Sequence, residues 1–198
     1  MTNVSGQPGS GETAAADGLP PGFTKQQMGG ALSKLLSASV GDIVAVFSRS
    51  PAHKHFAFGD LDWMVLPAVV SGQFYVAEAE HKEAGFRAPV ACVLWASVSE
   101  EVDRRLETEA GRRIRVRPDE WTSGQQLWIV DVAGEPRMVQ GVLKHLMEQV
   151  FKDRSVKLVL RDAGGAAKVE TLQGLARAAA IAAVGMESAS PTAGQGQP

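Results

Sequence analysis

The sequence is short of the features that would place it in most functional classes. It has a single cysteine, Cys92, so no disulfide can form within the chain. That residue lies in the apolar run PVACVLW with no basic neighbour to activate it, which fits a small core residue better than a reactive thiol. The net charge is −2, so no basic field points to nucleic acid. No set of residues with metal-ligand spacing stands out. No apolar stretch reads as long enough to span a bilayer: residues 175–184 come nearest, but they are Ala-rich, interrupted by Arg177 and too short. Residues 1–22 are mostly Gly, Ser, Pro, Ala and acidic residues, without the apolar centre of a signal peptide. A cytoplasmic protein is expected.

What is present is ordinary globular material. With 198 residues, 44% hydrophobic and 21% charged, the chain can bury one sizeable core. Residues 1–23 and 185–198 are rich in Gly and Pro and poor in apolar residues, and are expected to be disordered tails around one domain at 24–184.

Within that domain, residues 25–48 carry apolar side chains at helical spacing, with Ser39 or Gly41 as a possible break between two pieces. The helix should end at SRSPAHKH, because a residue before proline is pushed out of the helical region. Residues 62–70 and 73–77 read as strands around a tight Ser71-Gly72 turn, and 90–98 as a third strand. Residues 99–109 read as a short polar helix with Ser99 as N-cap and Glu100 and Glu101 in its first turn. Strands are expected at 126–132, 155–160 and 168–172. An amphipathic helix is expected at 137–151, with Met138, Val142, Leu146 and Val150 on one face, and an Ala-rich helix at the end of the chain. The expected class is α/β in layers, a mixed, largely antiparallel sheet flanked by helices.

Two constellations could carry chemistry. In Ser50-Pro51-Ala52-His53 the proline stiffens a helix end and can present a hydroxyl and an imidazole on one loop. Histidine titrates near neutral pH and can serve as a general base. On spacing alone His53 could equally be a surface or helix-capping residue. In Trp121-Thr122-Ser123-Gly124, followed by Trp128 and Asp131, a turn leads into an apolar strand that carries one carboxylate. A carboxylate there needs a partner, and an imidazole would suit it, but Asp131 could also simply end the strand.

Taken together, these segments resemble the toxin-activating lysine acyltransferases of the hemolysin-activating protein C type. The resemblance rests on Ser-Pro-x-His, the Leu66-Pro67 pair fourteen residues after His53, the Trp95-Ala96 strand end, and Trp-Thr-Ser-Gly followed by Trp128 and Asp131, all in the family's order. It covers roughly Val40 to Ala163. It implies a catalytic site at His53, Asp131 and Ser50, and a fold similar to the GNAT acyltransferases. It also implies acyl carrier protein as acyl donor with no bound cofactor, an internal lysine of an RTX-type protein as acceptor, and a homodimer. His53 would deprotonate the lysine, whose ammonium is not a nucleophile at neutral pH, and Asp131 would hold the imidazole.

Arg104, Arg105, Arg112, Arg113, Arg115 and Arg117 fall within fourteen residues and suit an acidic carrier protein, unless they form a solvated face partly neutralised by Glu101, Glu107 and Glu109. RDAGGA at 161–166 fits the phosphate loop of coenzyme-A-dependent enzymes, the basis of the alternative reading as a GNAT-type N-acyltransferase, but it precedes an expected strand and reads as a turn. The four tryptophans read as packing residues. Trp63 and Phe74 could line an acyl channel.

Overall fold

The computed structural model describes residues 25–81, 85–111, 114–161 and 166–173, and for residues 25–28 and 81 the backbone alone. The expected tails, the Ala-rich terminal helix, Arg112, Arg113 and residues 162–165 of RDAGGA lie outside the described residues. The chain divides into two compact units, residues 1–35 and 36–198. The elements in order are α1 (Lys25–Arg49), α2 (Leu61–Ser71), β1 (Phe74–His81), β2 (Phe86–Val98), α3 (Glu100–Thr108), β3 (Gln126–Gly134), α4 (Pro136–Gln149), β4 (Val156–Arg161) and β5 (Ala167–Leu172). The strands form one sheet in sequence order, β1-β2-β3-β4-β5. All neighbours are antiparallel except β3 and β4, which pair in parallel at Leu127↔Val156 and Trp128↔Lys157.

The α/β expectation of a mixed, largely antiparallel sheet flanked by helices holds. Strand β2 shows why. Successive side chains on a strand point to opposite faces, and here both faces are apolar. Cys92, Leu94, Ala96 and Val98 join a core with Ile43, Val46 and Phe47 of α1, the inner residues of α2, and Val102 and Leu106 of α3. Ala91, Val93 and Trp95 join a second core with Val142, Leu143, Leu146 and Met147 of α4 and with Phe151. The face expected of α4 is right for Val142 and Leu146. Val150 lies beyond the helix end and is exposed, and Phe151 is buried in its place.

Three sequence expectations are corrected. First, α1 is unbroken through Ser39 and Gly41, because one interior glycine costs only about 1 kcal/mol and no proline intervenes before Pro51. Second, its segment Gly29–Arg49 is long and apolar enough to cross a bilayer by length and composition, although Ile43, Val46 and Phe47 near its end are core residues.

The third correction is at residues 62–70, expected as a strand and found within helix α2, Leu61–Ser71. Six of its residues, Trp63, Met64, Val65, Pro67, Ala68 and Val69, are buried, and the exposed Asp62, Leu66 and Val70 form a narrow stripe at intervals of four. A helix buried on most of its circumference loses the apolar-polar rhythm that would reveal it. The Ser71-Gly72 pair is the helix stop. Gly72 has φ 69, its N–H donates to the Val69 carbonyl at 3.2 Å, and that of Gln73 donates to Ala68 at 2.8 Å.

Proline at position 67 has no N–H to donate to the carbonyl of Trp63, four residues back in the helix. Trp121 fills that gap: its indole N–H donates to the Trp63 oxygen at 3.2 Å from a fully buried ring. The Leu-Pro and Trp-Thr-Ser-Gly segments are thus two halves of one hydrogen-bond account. Gly124 closes the same turn against β2, where a Cβ would meet the Val98 oxygen at 2.5 Å. Buried Glu120 holds the turn from inside through Arg105, Arg117 and the Arg117 backbone N–H. Trp128 ties β3 to α3 by donating to Asp103 at 2.7 Å, and Lys157 of β4 reaches Asp103 and Glu107. Burial lowers the pKa of Lys157, but hydrogen bonds to Asp103 and Glu107 outweigh it, and the net direction is up.

Trp121→Phe should cost about 1–3 kcal/mol of unfolding free energy, the scale of removing the buried indole N–H that the Trp63 and Val116 carbonyls share. In a Pro67→Ala background the restored backbone N–H can take the Trp63 carbonyl, so the same change should cost less. Equal costs in both backgrounds, measured by denaturant titration, would show the two residues to be uncoupled.

Candidate active site

The site begins where α1 is forced to stop. Ser50 precedes Pro51 and is extended, at φ −86 and ψ 123, and a single 3-10 turn follows at Pro51–His53. The turn is closed by N–H donation from Ser50 to Phe47, from His53 to Ser50 and from Phe56 to His53, each at 3.0 Å. This tight path folds the His53 ring back onto the helix it has just left. The imidazole stacks on Phe47 with centroids 4.3 Å apart and planes within 8°, and Phe56 lies against it at 4.8 Å. His53 is only 7% exposed, whereas its neighbours Pro51, Ala52, Lys54 and His55 are exposed.

Both ring nitrogens meet a partner. Nδ1 lies 2.7 Å from Ser50 Oγ, and Nε2 lies 3.1 Å from Asp131 Oδ1, a residue 78 positions away. The structure thus brings together Ser50, His53 and Asp131 in one chain of contacts. An ionised carboxylate only accepts, so Asp131 fixes the proton on Nε2 and leaves Nδ1 to accept from the Ser50 hydroxyl. Asp131 Oδ1 is itself steadied by the Val132 backbone N–H at 2.8 Å.

Asp131 reaches this face through an irregularity of the sheet. On β2, Leu94 pairs with Asp131 but Trp95 pairs with Ile129, so Val130 is an extra residue, a β-bulge. Strict alternation from Leu127 and Ile129, which face α4, would have turned residue 131 toward α4 as well. The bulge shifts the phase by one. Asp131 then shares a face with its partner Leu94, in the core that contains Phe47, and Val132 takes the α4 side. Sequence reasoning missed this device and the aromatic cluster that Phe47 and Phe56 form with His53. The cluster had a faint signal in two phenylalanines three residues outside Ser50 and His53, while the bulge has none in a run of apolar residues.

The remaining assigned residues are spread more widely. Arg105 reaches inward to Glu120 and to Glu109, and Arg117 to Glu120 and Asp119. Arg104 is exposed, and the exposed Arg115 lies with its guanidinium 5.2 Å over the Trp63 ring. Trp63 also donates to Asp60 at 3.0 Å, and Phe74 packs half-buried against the first core. Of RDAGGA only Arg161, the last residue of β4, and Ala166 lie within the described residues, and β4 and β5 on either side of it pair antiparallel. Among the described residues no group of three or more His, Cys, Asp and Glu is placed to hold a metal ion.

Comparison with known proteins adds the family. The family model described as HlyC, RTX toxin acyltransferase family, matches residues 34–173. This chain belongs to that family. The matched span contains Ser50, His53 and Asp131. The lysine-acyltransferase RtxC of Vibrio cholerae is 30% identical over 112 residues, which is 57% of this chain and 68% of that protein. Two proteins of Actinobacillus pleuropneumoniae, the RTX-I and RTX-II toxin-activating lysine-acyltransferases ApxIC and ApxIIC, are 28% and 26% identical over 92 residues, 46% of this chain. Those alignments span 48% and 52% of the two relatives, about half their length.

Cys92 sits in the same core and is fully buried. Burial, reinforced by the charge of Asp131, pushes its thiol up to about 12 from an ordinary 9.0. The raised value means that the protonated thiol belongs to the fold, a contribution complete below pH 9 and lost as pH rises through about 12. Native protein at pH 8 should therefore resist iodoacetamide and take up one equivalent only after denaturation. Between pH 9 and 12 its stability should fall more steeply than that of Cys92→Ala. Alkylation at the rate of the denatured chain would mean that the thiol is accessible.

Proposed function

We propose that the protein is an acyl-carrier-protein-dependent lysine acyltransferase acting in the cytoplasm on an RTX-type protein, with His53 as general base and Asp131 as its positioning residue. The observation that carries this reading is the His53–Asp131 contact at 3.1 Å, made across 78 residues within the span that matches the family. A fatty acyl thioester is already activated, so little electrophilic help is needed. The difficulty lies with the acceptor, because a lysine of pKa about 10.4 is almost wholly protonated at neutral pH. An imidazole held in one tautomer by a carboxylate can accept a proton as the amine attacks, and the carboxylate stabilises the positive charge that develops on the ring. Packing against Phe47 and Phe56, whose own rings lie 5.5 Å apart, keeps the imidazole in place and away from bulk water.

Docking of an acidic carrier protein is supported by the exposed Arg104 and Arg115. Arg105 contributes indirectly, through the Glu120 network that shapes the turn leading into β3.

Acyl transfer from labelled acyl carrier protein to an RTX-type acceptor should fall at least about 100-fold in His53→Ala, the usual scale of a lost general base, with a smaller loss in Asp131→Asn. Undiminished transfer by His53→Ala would remove His53 from the chemistry. Labelling from acyl coenzyme A but not from acyl carrier protein would replace the donor. Charge reversal at Arg104 and Arg115 should raise KM for the acyl carrier protein and leave kcat nearly unchanged.

A further inference from the structure

We infer that Ser50 is the nucleophile of this site, and that acyl transfer runs through an acyl-serine ester before the lysine is reached. The inference rests on the acyltransferase reading above and goes beyond it. The imidazole is 7% exposed, packs against Phe47 and Phe56, and has a partner on each nitrogen. A lysine amine therefore cannot meet Nδ1 directly without displacing the Ser50 hydroxyl that occupies it. Ser50 itself is half-buried and adjoins the exposed Pro51 and Ala52, so its hydroxyl lies closer to the outside than the buried imidazole it contacts.

The hydroxyl is also released from competing work. Ser50 stands at the N-cap of the 3-10 turn, a position where serine commonly bonds a backbone N–H, yet its side chain makes no such bond and is given to His53. A hydroxyl bonded to an imidazole whose far nitrogen is held by a carboxylate is the arrangement that activates a serine.

The steps balance as follows. Ser50 Oγ attacks the thioester carbonyl carbon while its proton passes to His53 Nδ1. The C–S bond breaks, and the leaving sulfur takes that proton as the free thiol. The lysine ammonium loses one proton to solvent, and its nitrogen attacks the ester carbon. His53 Nδ1 takes a second proton from that nitrogen as the C–O bond breaks, and returns it to Ser50 Oγ. The products are the thiol, the acyl-lysine amide and one proton, and no oxidant or metal is consumed.

The test uses the full chain and acyl carrier protein loaded with a labelled fatty acid. Without acceptor, the wild type should release a rapid burst of one equivalent of free thiol. It should carry the acyl mass on Ser50 in the tryptic peptide 50–54. An oxyester survives mild acid and is cleaved by hydroxylamine, whereas an acyl-imidazole on His53 would hydrolyse in mild buffer. Ser50→Ala should lose both the burst and transfer, and Ser50→Cys should restore the burst as a thioester adduct. A merely structural serine would not give a stoichiometric burst.

The inference is overturned if Ser50→Ala transfers within tenfold of the wild type, if thiol appears only when an acceptor amine is present, or if the adduct maps to His53. In each of those cases the acyltransferase reading stands. Absence of any transfer by the wild type, with acceptor present, would remove both.

Discussion

The one extra residue in β3 decides what this molecule can do. A central strand with two apolar faces has a fixed phase, and Asp131 would fall on the α4 side if that phase continued from Leu127 and Ile129. A carboxylate there would lie in the apolar core beneath α4, a costly place for a charge. The bulge at Val130 moves it to the face where α1 ends, and there it meets His53. The imidazole likewise depends on the proline that stops α1 and on the stack with Phe47. Two local backbone events, far apart in sequence, are both required for a single contact.

The motifs by which the chain resembles its family divide the same way. Only three of their residues, Ser50, His53 and Asp131, join the chain of contacts that can do chemistry. The others satisfy the backbone. Pro67 withholds an N–H, Trp121 supplies one, Gly124 admits the close approach to β2, and Trp128 pins α3 through Asp103. The pairing is one-sided: loss of Trp121 takes a donor from the Trp63 carbonyl, whereas loss of Pro67 restores a backbone N–H that can serve it. These constraints set the path of the turn into β3, and so the starting phase of the strand that carries Asp131.

Much of this was legible in the sequence, and the limits have physical causes. Strands β2 and β3 were readable as short apolar runs rich in β-branched and aromatic residues, α3 from its Ser99 cap and acidic first turn, and α4 from its helical period. Helix α2 was not, since its circumference is largely buried and its Gly72 cap looks like a hairpin turn. Ser50, His53 and Asp131, and the pairing of the last two, were implied by the family resemblance and not by spacing alone, but the means of their joining was hidden: strand phase at Asp131 depends on a bulge at Val130, and nothing in QLWIVDV marks one residue as unpaired. Of the arginine cluster, the sequence could not separate Arg105 and Arg117, turned onto buried Glu120, from exposed Arg104 and Arg115.

The arrangement around His53 also bears on a timing problem that any lysine acyltransferase meets. At neutral pH fewer than about one lysine in a thousand is a free amine, by the usual pKa of about 10.4. Direct transfer needs the loaded carrier, the acceptor and the deprotonated amine in register at once. An ester on Ser50 would separate these demands, since the carrier could leave before the acceptor arrives. The ester is a poorer electrophile than the thioester, which slows loss to water, yet its conversion to an amide still runs downhill. A base kept 7% exposed beneath that serine, with its tautomer fixed by Asp131, is suited to both halves of such a cycle. In such a cycle it would accept the serine proton in the first half and one from the amine in the second, always through the same nitrogen.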